Sequence, residues 1–257
     1  MRNASTIAEP IRWMEKTVVV GGRWPFPMEP APPATRILLA PVVLIGVRFS
    51  LGANFPNPMT MPEAFHGHPA YYAVWITTFS LCIVPEIVLS VMLRSGKNAK
   101  KSDKGSKAIV ILAANLAMAV GFIVVTAFPS LSIHTHWRAL FDAGIVVWLG
   151  GTLFRFYSMR ILGRFFTYDV AVSSGQYVVE RGPYRWIRHP SYLGSLVANV
   201  GLGMTLTHWL AIFLPALCLG VAYAYRIAIE ERALQEGLGT AYSEYMQRTW
   251  RLVPFVF

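Results

Sequence analysis

The stretch QYVVERGPYRWIRHPSYLG, from Gln176 to Gly194, gathers polar, basic and aromatic side chains into one short segment of an otherwise apolar chain. Gly182-Pro183 is a turn signal, and Pro190 suits the first position of a helix, where a missing N–H costs nothing and the fixed φ angle is already helical. His189 is then predicted at the mouth of that helix. Unpaired N–H groups at a helix start favour carboxylates and phosphates, and Arg181, Arg185 and Arg188 add positive charge, so the segment predicts an anionic guest. On charge alone, a basic cluster touching lipid headgroups at the start of a membrane helix accounts for these residues equally well.

Outward from this stretch the chain is greasy. Of 257 residues, 54% are hydrophobic and only 14% charged, and the mean hydropathy is +0.45. That composition excludes an ordinary soluble enzyme and predicts an all-α integral membrane protein. The net charge of +10 does not point to nucleic acid, because the basic residues fall in short loops between apolar spans and no basic helix or aromatic RNA-binding motif is present. Membrane lipids are the expected contact. Cys82 and Cys218 lie inside apolar runs and read as small packing residues.

In chain order, residues 1–35 read as a headgroup-plane helix, with Ile7, Ile11, Met14 and Val18 at helical spacing, followed by a proline-rich linker over 24–33. No secretory signal pattern precedes them. Residues 36–257 then form a single membrane domain, with transmembrane helices over 36–157 and a catalytic motif, helical hairpin and C-terminal helices over 158–257. Four spans are expected, at 37–53, 70–93, 108–128 and 138–157. The loops at 54–69 and 129–136 lack Lys and Arg, whereas Arg94, Lys97, Lys100, Lys101, Lys104 and Lys107 crowd the loop between the second and third spans. The fourth comes back to a face bearing Arg155, Arg160 and Arg164. The positive-inside rule therefore puts the amino terminus and the Gln176 motif on the cytosolic face, which in a bacterium is that of the inner membrane. After the motif, 191–206 and 209–225 are apolar runs of about 24 and 26 Å at the helical rise, slightly short for a hydrocarbon core of about 30 Å. A tight hairpin broken at Thr207-His208 explains them, and it returns Arg226 and Glu230 to the face from which Ser191 departs.

Glu86, after Pro85 in the second span, is expected to face the bundle interior with a partner. Asn115 and Asn199 read as interhelical hydrogen-bond donors. His66, His68, His134, His136 and His208 read as solvated residues of the outer loops, and no metal site is expected without thiolates or a carboxylate cluster. No G-x-G-x-x-G follows a strand, so a dinucleotide-type pocket is excluded; a P-loop, an H-E-x-x-H pair and a Ser-His-Asp set are also missing.

Gly182-Pro183-Tyr184 with Arg188-His189-Pro190-Ser191-Tyr192-Leu193-Gly194, and a second block at Tyr225-Arg226-Ile227, Glu230-Glu231, Leu234, Gly239, Tyr242, Tyr245 and Arg251 to Pro254, resemble the signature of the isoprenylcysteine carboxyl methyltransferase family and its phospholipid and thiol methyltransferase relatives. The resemblance covers roughly the last ninety residues, while the first half matches no motif. It implies S-adenosylmethionine as cofactor, contacted at Gln176, Tyr177, Val178, Val179, Tyr184, His189, Pro190, Ser191 and Tyr192. It implies Arg226 and Glu230 on the acceptor side, Glu230 positioning Arg226 and Arg226 orienting a carboxylate; an i, i+4 pair shares one helix face. The implied acceptor is lipophilic: an isoprenylcysteine carboxylate, a lipid amine or a small thiol. Val179-Glu180-Arg181 departs from the small hydroxyl residues that many relatives carry there. Two other readings stand beside this one. The C-terminal helix and its Tyr-x-x-Tyr ending are similar to those of membrane sterol reductases, and a non-enzymatic lipid-binding scaffold would use the second block as a basic surface.

Overall fold

A computed structural model describes residues 62, 65, 67–92, 100–101, 105–172 and 175–254. The helix expected within residues 1–35, its linker and the span expected at 37–53 lie outside the described residues, as does most of the basic loop after Arg94. Among the described residues, six α-helices follow one another: α1 (Pro69–Met92), α2 (Ser106–Ala127), α3 (Trp137–Leu162), α4 (Pro190–Thr205), α5 (Trp209–Leu238) and α6 (Thr240–Arg248). Two-residue strands β1 (Lys100–Lys101) and β2 (Ala171–Val172) pair antiparallel, tying the α1–α2 connection to the loop after α3.

Length and apolarity make membrane crossers of Pro69–Ser90, Ser106–Ala127, Trp137–Phe165 and Trp209–Leu238. Their outer faces carry Leu81 and Val84, Leu112 and Leu116, Val146 and Leu153, and Phe213, Leu217 and Val221, all exposed. Such patches would be a liability in water, but they are the ordinary surface of a helix facing acyl chains.

The expected second and third spans match α1 and α2 closely. The fourth does not stop at Tyr157, because α3 runs on to Leu162 and carries Arg155 and Arg160 as helical residues. The hairpin is present, with α4 and α5 joined through Leu206, Thr207 and His208, but its second arm is 30 residues long and runs past the expected end at Tyr225 to Leu238. Arg226, Glu230 and Glu231 therefore belong to the same unbroken helix as the membrane arm. Pro190 opens α4, as its chemistry requires.

The α3–α4 contact is made by small residues. A Cβ placed on Gly144 would lie 2.9 Å from Gly201 O, and one on Gly194 would lie 2.8 Å from Gly151 O. Backbone meets backbone here. Between membrane helices there is little hydrophobic drive, so van der Waals contact over small residues carries much of the association. Above this seam an aromatic cluster of Phe65, Trp75, Phe141 and Trp148 fills the core, and the Trp75 indole N–H donates to Thr205 Oγ1 at 3.0 Å. Asn115 and Asn199 differ from expectation, since each side-chain amide donates to its own helix, to Ile111 O at 2.8 Å and Ser195 O at 3.1 Å. A carbonyl four residues back is always in reach, and without water the nearest acceptor wins. His208 also departs from its expected solvated position: it is fully buried at the start of α5, its Nε2 2.9 Å from Phe128 O.

Gly151→Val tests the seam, because a Cβ there falls on the backbone of Gly194 and Ala198. Overpacking of about 1–3 kcal/mol is expected as a lowered unfolding midpoint in detergent. Gly150→Ala, one residue away with nothing within 4 Å of its Cβ, should unfold like the wild type.

Candidate active site

At the end of the bundle where α4 begins, a cavity holds about 860 Å³ of unfilled space counted out to its open mouth. Its walls come from five places in the chain. The end of α3 and the loop behind it give Leu162, Phe165, Phe166, Thr167, Asp169 and Val170. The quoted stretch gives Gln176 to Val179 and, from its turn and helix start, Tyr184, Arg188, His189, Ser191 and Tyr192. Glu230, Ala233, Leu234 and Leu238 of α5 and Tyr242 and Tyr245 of α6 close it.

Of the residues expected to hold cofactor, Gln176, Tyr177, Val178, Val179, Tyr184, His189, Ser191 and Tyr192 line the cavity, and so does Glu230. Pro190 is not among the lining residues: it is fully buried as the first residue of α4. Arg226 is not on the wall either, being 5% exposed and set behind Tyr192.

The turn entering the motif depends on Gly182. Its φ is +55°, and a Cβ there would collide with Ile161 and come within 3.3 Å of the Tyr157 hydroxyl. The motif is then stapled to the C-terminal tail by a parallel bridge between Ile187 and Trp250, with Arg188 N–H to Trp250 O at 2.8 Å and His189 N–H to Arg251 O at 3.2 Å. Tyr245 of α6 donates to Tyr184 O at 2.7 Å. Burial holds the phenols of Tyr184, Tyr242 and Tyr245 above their ordinary range, with the Glu230 charge adding to this at Tyr184 and those of Glu231 and Glu230 at Tyr242. These hydroxyls stay protonated donors.

Arg188 does not offer its charge to a guest. Its Nε donates to Glu231 Oε1 at 2.8 Å, and one terminal nitrogen donates to Met246 O at 2.8 Å and to Thr249 O. Arg251 meets the other Glu231 oxygen at 3.0 Å. Arg188 is therefore a pin between α4, α5 and the last turn of α6, while Arg181 and Arg185 face outward. The three arginines that looked alike in sequence divide into one buried brace and two surface charges.

His189 is 4% exposed. Its Nε2 lies 3.4 Å from Glu231 Oε1 and its Nδ1 4.0 Å from Glu230 Oε2. The ring stacks on Tyr192, whose ring stacks on Tyr223, with interplanar angles of 11° and 19°. The Tyr192 hydroxyl then joins the two acceptor-side residues: Arg226 Nε donates to it at 2.7 Å and it donates to Glu230 Oε2 at 2.7 Å. Arg226 also donates to Ser106 Oγ at 3.1 Å and Tyr168 O at 2.7 Å. The i, i+4 pair thus communicates through a tyrosine hydroxyl on the neighbouring helix, a link that sequence spacing cannot reveal.

Asp169, paired with Lys107 at 3.0 Å, Thr167 and the apolar Leu162 and Phe165 were not among the individual residues expected at the site, and Leu234 was named only as part of the second block. They sit on ordinary helix ends and a featureless loop, and only the fold brings them to the motif. The cavity so made has apolar walls, flat rings and a few polar groups, which suits an aromatic base attached to a charged tail.

Arg188→Ala takes one of two arginine partners from the buried Glu231 carboxylate and leaves two carbonyls without this donor, so unfolding should be easier by about 1–3 kcal/mol. The exposed pair Arg248–Glu180, 60% and 43% accessible, is the control: Arg248→Ala should cost less than about 0.5 kcal/mol. Denaturant titration of both variants checks this.

Residues 144–236, from α3 through the motif and most of α5, match the family model described as isoprenylcysteine carboxyl methyltransferase. The chain is 28% identical over 175 residues to protein-S-isoprenylcysteine O-methyltransferase A of Arabidopsis thaliana, spanning 67% of this chain and 87% of that protein. It is 33% identical over 131 residues to the B form from the same plant, spanning 50% and 65%. A solved structure of the eukaryotic intramembrane Ras methyltransferase, an isoprenylcysteine carboxyl methyltransferase, aligns with a TM-score of 0.51 and 25% identity, covering 86% of this chain and 74% of that one. The matched segment contains the hairpin, the Arg188-His189-Pro190 helix start and the Arg226–Tyr192–Glu230 link. Over the segment that builds the cavity, the chain is thus similar to integral membrane methyltransferases of the isoprenylcysteine carboxyl methyltransferase family.

Proposed function

We propose that the chain moves the methyl group of S-adenosylmethionine onto the carboxylate of a prenylated cysteine, at a pocket opening to the cytosolic face. The observation that carries this reading is the joining of the Arg226–Tyr192–Glu230 chain to the wall of a cavity lined by eight of the nine expected cofactor contacts. When bound, the donor supplies a sulfonium-activated methyl: a carbon–oxygen bond forms as the carbon–sulfur bond breaks, the electron pair returns to sulfur, and no proton moves.

The residues present fit that donor. Backbone groups of Gln176 to Val179 can read an adenine edge, the Tyr184 and Tyr177 rings can cover a flat face, and the α4 start at His189 favours a carboxylate. Glu230 and Asp169 supply negative charge for an amino group or ribose. An acceptor that is already anionic needs orientation and dryness more than a base. The buried positive charge of Arg226, one hydroxyl behind the wall, favours a carboxylate nearby, and the apolar outer faces of the helices suit a prenyl chain arriving through lipid. The basic segment 94–107 and the basic residues Arg160 and Arg164, at and just past the end of α3, support the cytosolic assignment by the positive-inside rule. No observation favours the reductase or scaffold alternatives.

Calorimetric titration of S-adenosylmethionine into detergent-purified protein tests the donor site. Wild type should bind saturably, and His189→Ala, if folded, should bind at least about tenfold more weakly, ~1.4 kcal/mol. Tyr192→Phe keeps the ring between His189 and Tyr223 but deletes the hydroxyl, so donor binding should stay near wild type while methyl transfer drops about a hundredfold. Absence of binding by folded wild type contradicts the reading.

A further inference from the structure

Glu86 and Arg155 play no part in the account above, yet they form an ion pair inside the membrane domain, with the arginine buried and the Glu86 side chain 31% exposed. Arg155 Nε lies 3.2 and 3.0 Å from the two Glu86 oxygens, and a terminal nitrogen lies 2.5 Å from Oε1. This is a two-pronged pair between α1 and α3, with Arg155 only 8% exposed. Taking both charges out of water is costly, and replacing such a pair by packed apolar residues is often neutral or stabilising, so bundle stability alone is a poor reason to keep it.

The pair does not end in itself. Arg155 also donates to Ser191 O at 3.1 Å, in the first turn of α4 where Ser191 lines the cavity. Glu86 Oε1 also accepts the Tyr168 hydroxyl at 2.9 Å, and burial keeps that phenol protonated and donating. The Tyr168 carbonyl in turn accepts from Arg226 at 2.7 Å, whose Nε reaches the Tyr192 hydroxyl. Ser191 and Tyr192 are thus consecutive cavity residues, each held by a different buried guanidinium. Tyr168 heads the loop that brings Asp169 and Val170 into the cavity, and it is gripped at its hydroxyl through Glu86 and at its carbonyl by Arg226.

We propose that Glu86, Arg155 and Tyr168 are positioning residues for methyl transfer: the Glu86–Arg155 pair fixes the first turn of α4 against the Tyr168 loop, and so holds the donor wall in register with the Tyr192–Glu230 side. This rests on reading the cavity as the S-adenosylmethionine pocket. A polar residue at 86, within a membrane helix, is then required by the site, and its partners are those that touch cavity residues. Placement errors of about an ångström at such a distance from the chemistry cost up to about a hundredfold in rate.

The test compares wild type, Tyr168→Phe, Arg155→Lys, Glu86→Gln and Glu86→Ala of the full chain in lipid nanodiscs. For each, the unfolding midpoint, the dissociation constant for S-adenosylmethionine and the turnover with N-acetyl-S-farnesylcysteine are measured. Tyr168→Phe removes one hydroxyl and should leave the unfolding midpoint near wild type, yet lower kcat by about tenfold or more. Arg155→Lys keeps the charge but not the fork, and should weaken donor binding by about three- to tenfold through Ser191. Glu86→Gln retains an oxygen for Tyr168 and should be milder than Glu86→Ala in both constants. If the two glutamate variants fail to fold, Tyr168→Phe and Arg155→Lys decide alone. Variants that unfold more easily but keep wild-type binding and turnover make the pair a structural strut and overturn the proposal. A wild type that binds no S-adenosylmethionine overturns the donor reading and this proposal together, a distinguishable failure.

Discussion

A guanidinium held away from water needs nearly all of its donors satisfied, and three such groups converge at one end of this helix bundle. Arg188, Arg155 and Arg226 each join elements far apart in sequence, through bonds to carboxylates, hydroxyls and carbonyls at that end. Charge-assisted bonds of this kind are roughly twice as strong as neutral ones and are directional. They convert a stack of slippery apolar helices, which hydrophobicity alone leaves free to slide within lipid, into a frame with one register.

Small residues and arginines divide the labour along the bundle axis. In the bilayer interior, Gly144, Gly151, Gly194 and Gly201 let α3 and α4 touch backbone to backbone. At the site end the same two helices are held by Arg155 reaching Ser191 O. Close approach and a charged cross-tie act on one helix pair, so the α4 start that carries His189 is fixed in both depth and rotation. The hairpin turn at Thr207-His208 then returns α5 at the depth that lets Tyr192 stand between Arg226 and Glu230.

Much of this was legible in the sequence because it rests on local rules. Apolar run length marked α1, α2 and α3, Pro190 marked the start of α4, and Thr207-His208 marked the hairpin. The charge of the motif pointed to the end of the bundle where the cavity lies. What was not legible is what depends on partners. Arg188 was indistinguishable from Arg181 and Arg185 until the fold placed Glu231 and the α6 carbonyls beside it. Arg226 and Glu230 read as a direct i, i+4 pair because no sequence pattern announces a third residue between them. Asn115 and Asn199 were assigned to neighbouring helices, whereas their amides turned to their own backbone. Helix ends were misjudged at Tyr157 and Tyr225 because polar residues normally end a membrane run, and here α3 and α5 continue through them toward the site.

The central claim is that Arg226 and its partners present an acceptor carboxylate to a methyl donor, and the chemical nature of the product tests it most directly. Purified protein incubated with methyl-labelled S-adenosylmethionine and N-acetyl-S-farnesylcysteine should yield a label that leaves as volatile methanol in mild base, the mark of a methyl ester. A label stable to base, on nitrogen or sulfur, or no transfer at all from folded protein, would contradict it.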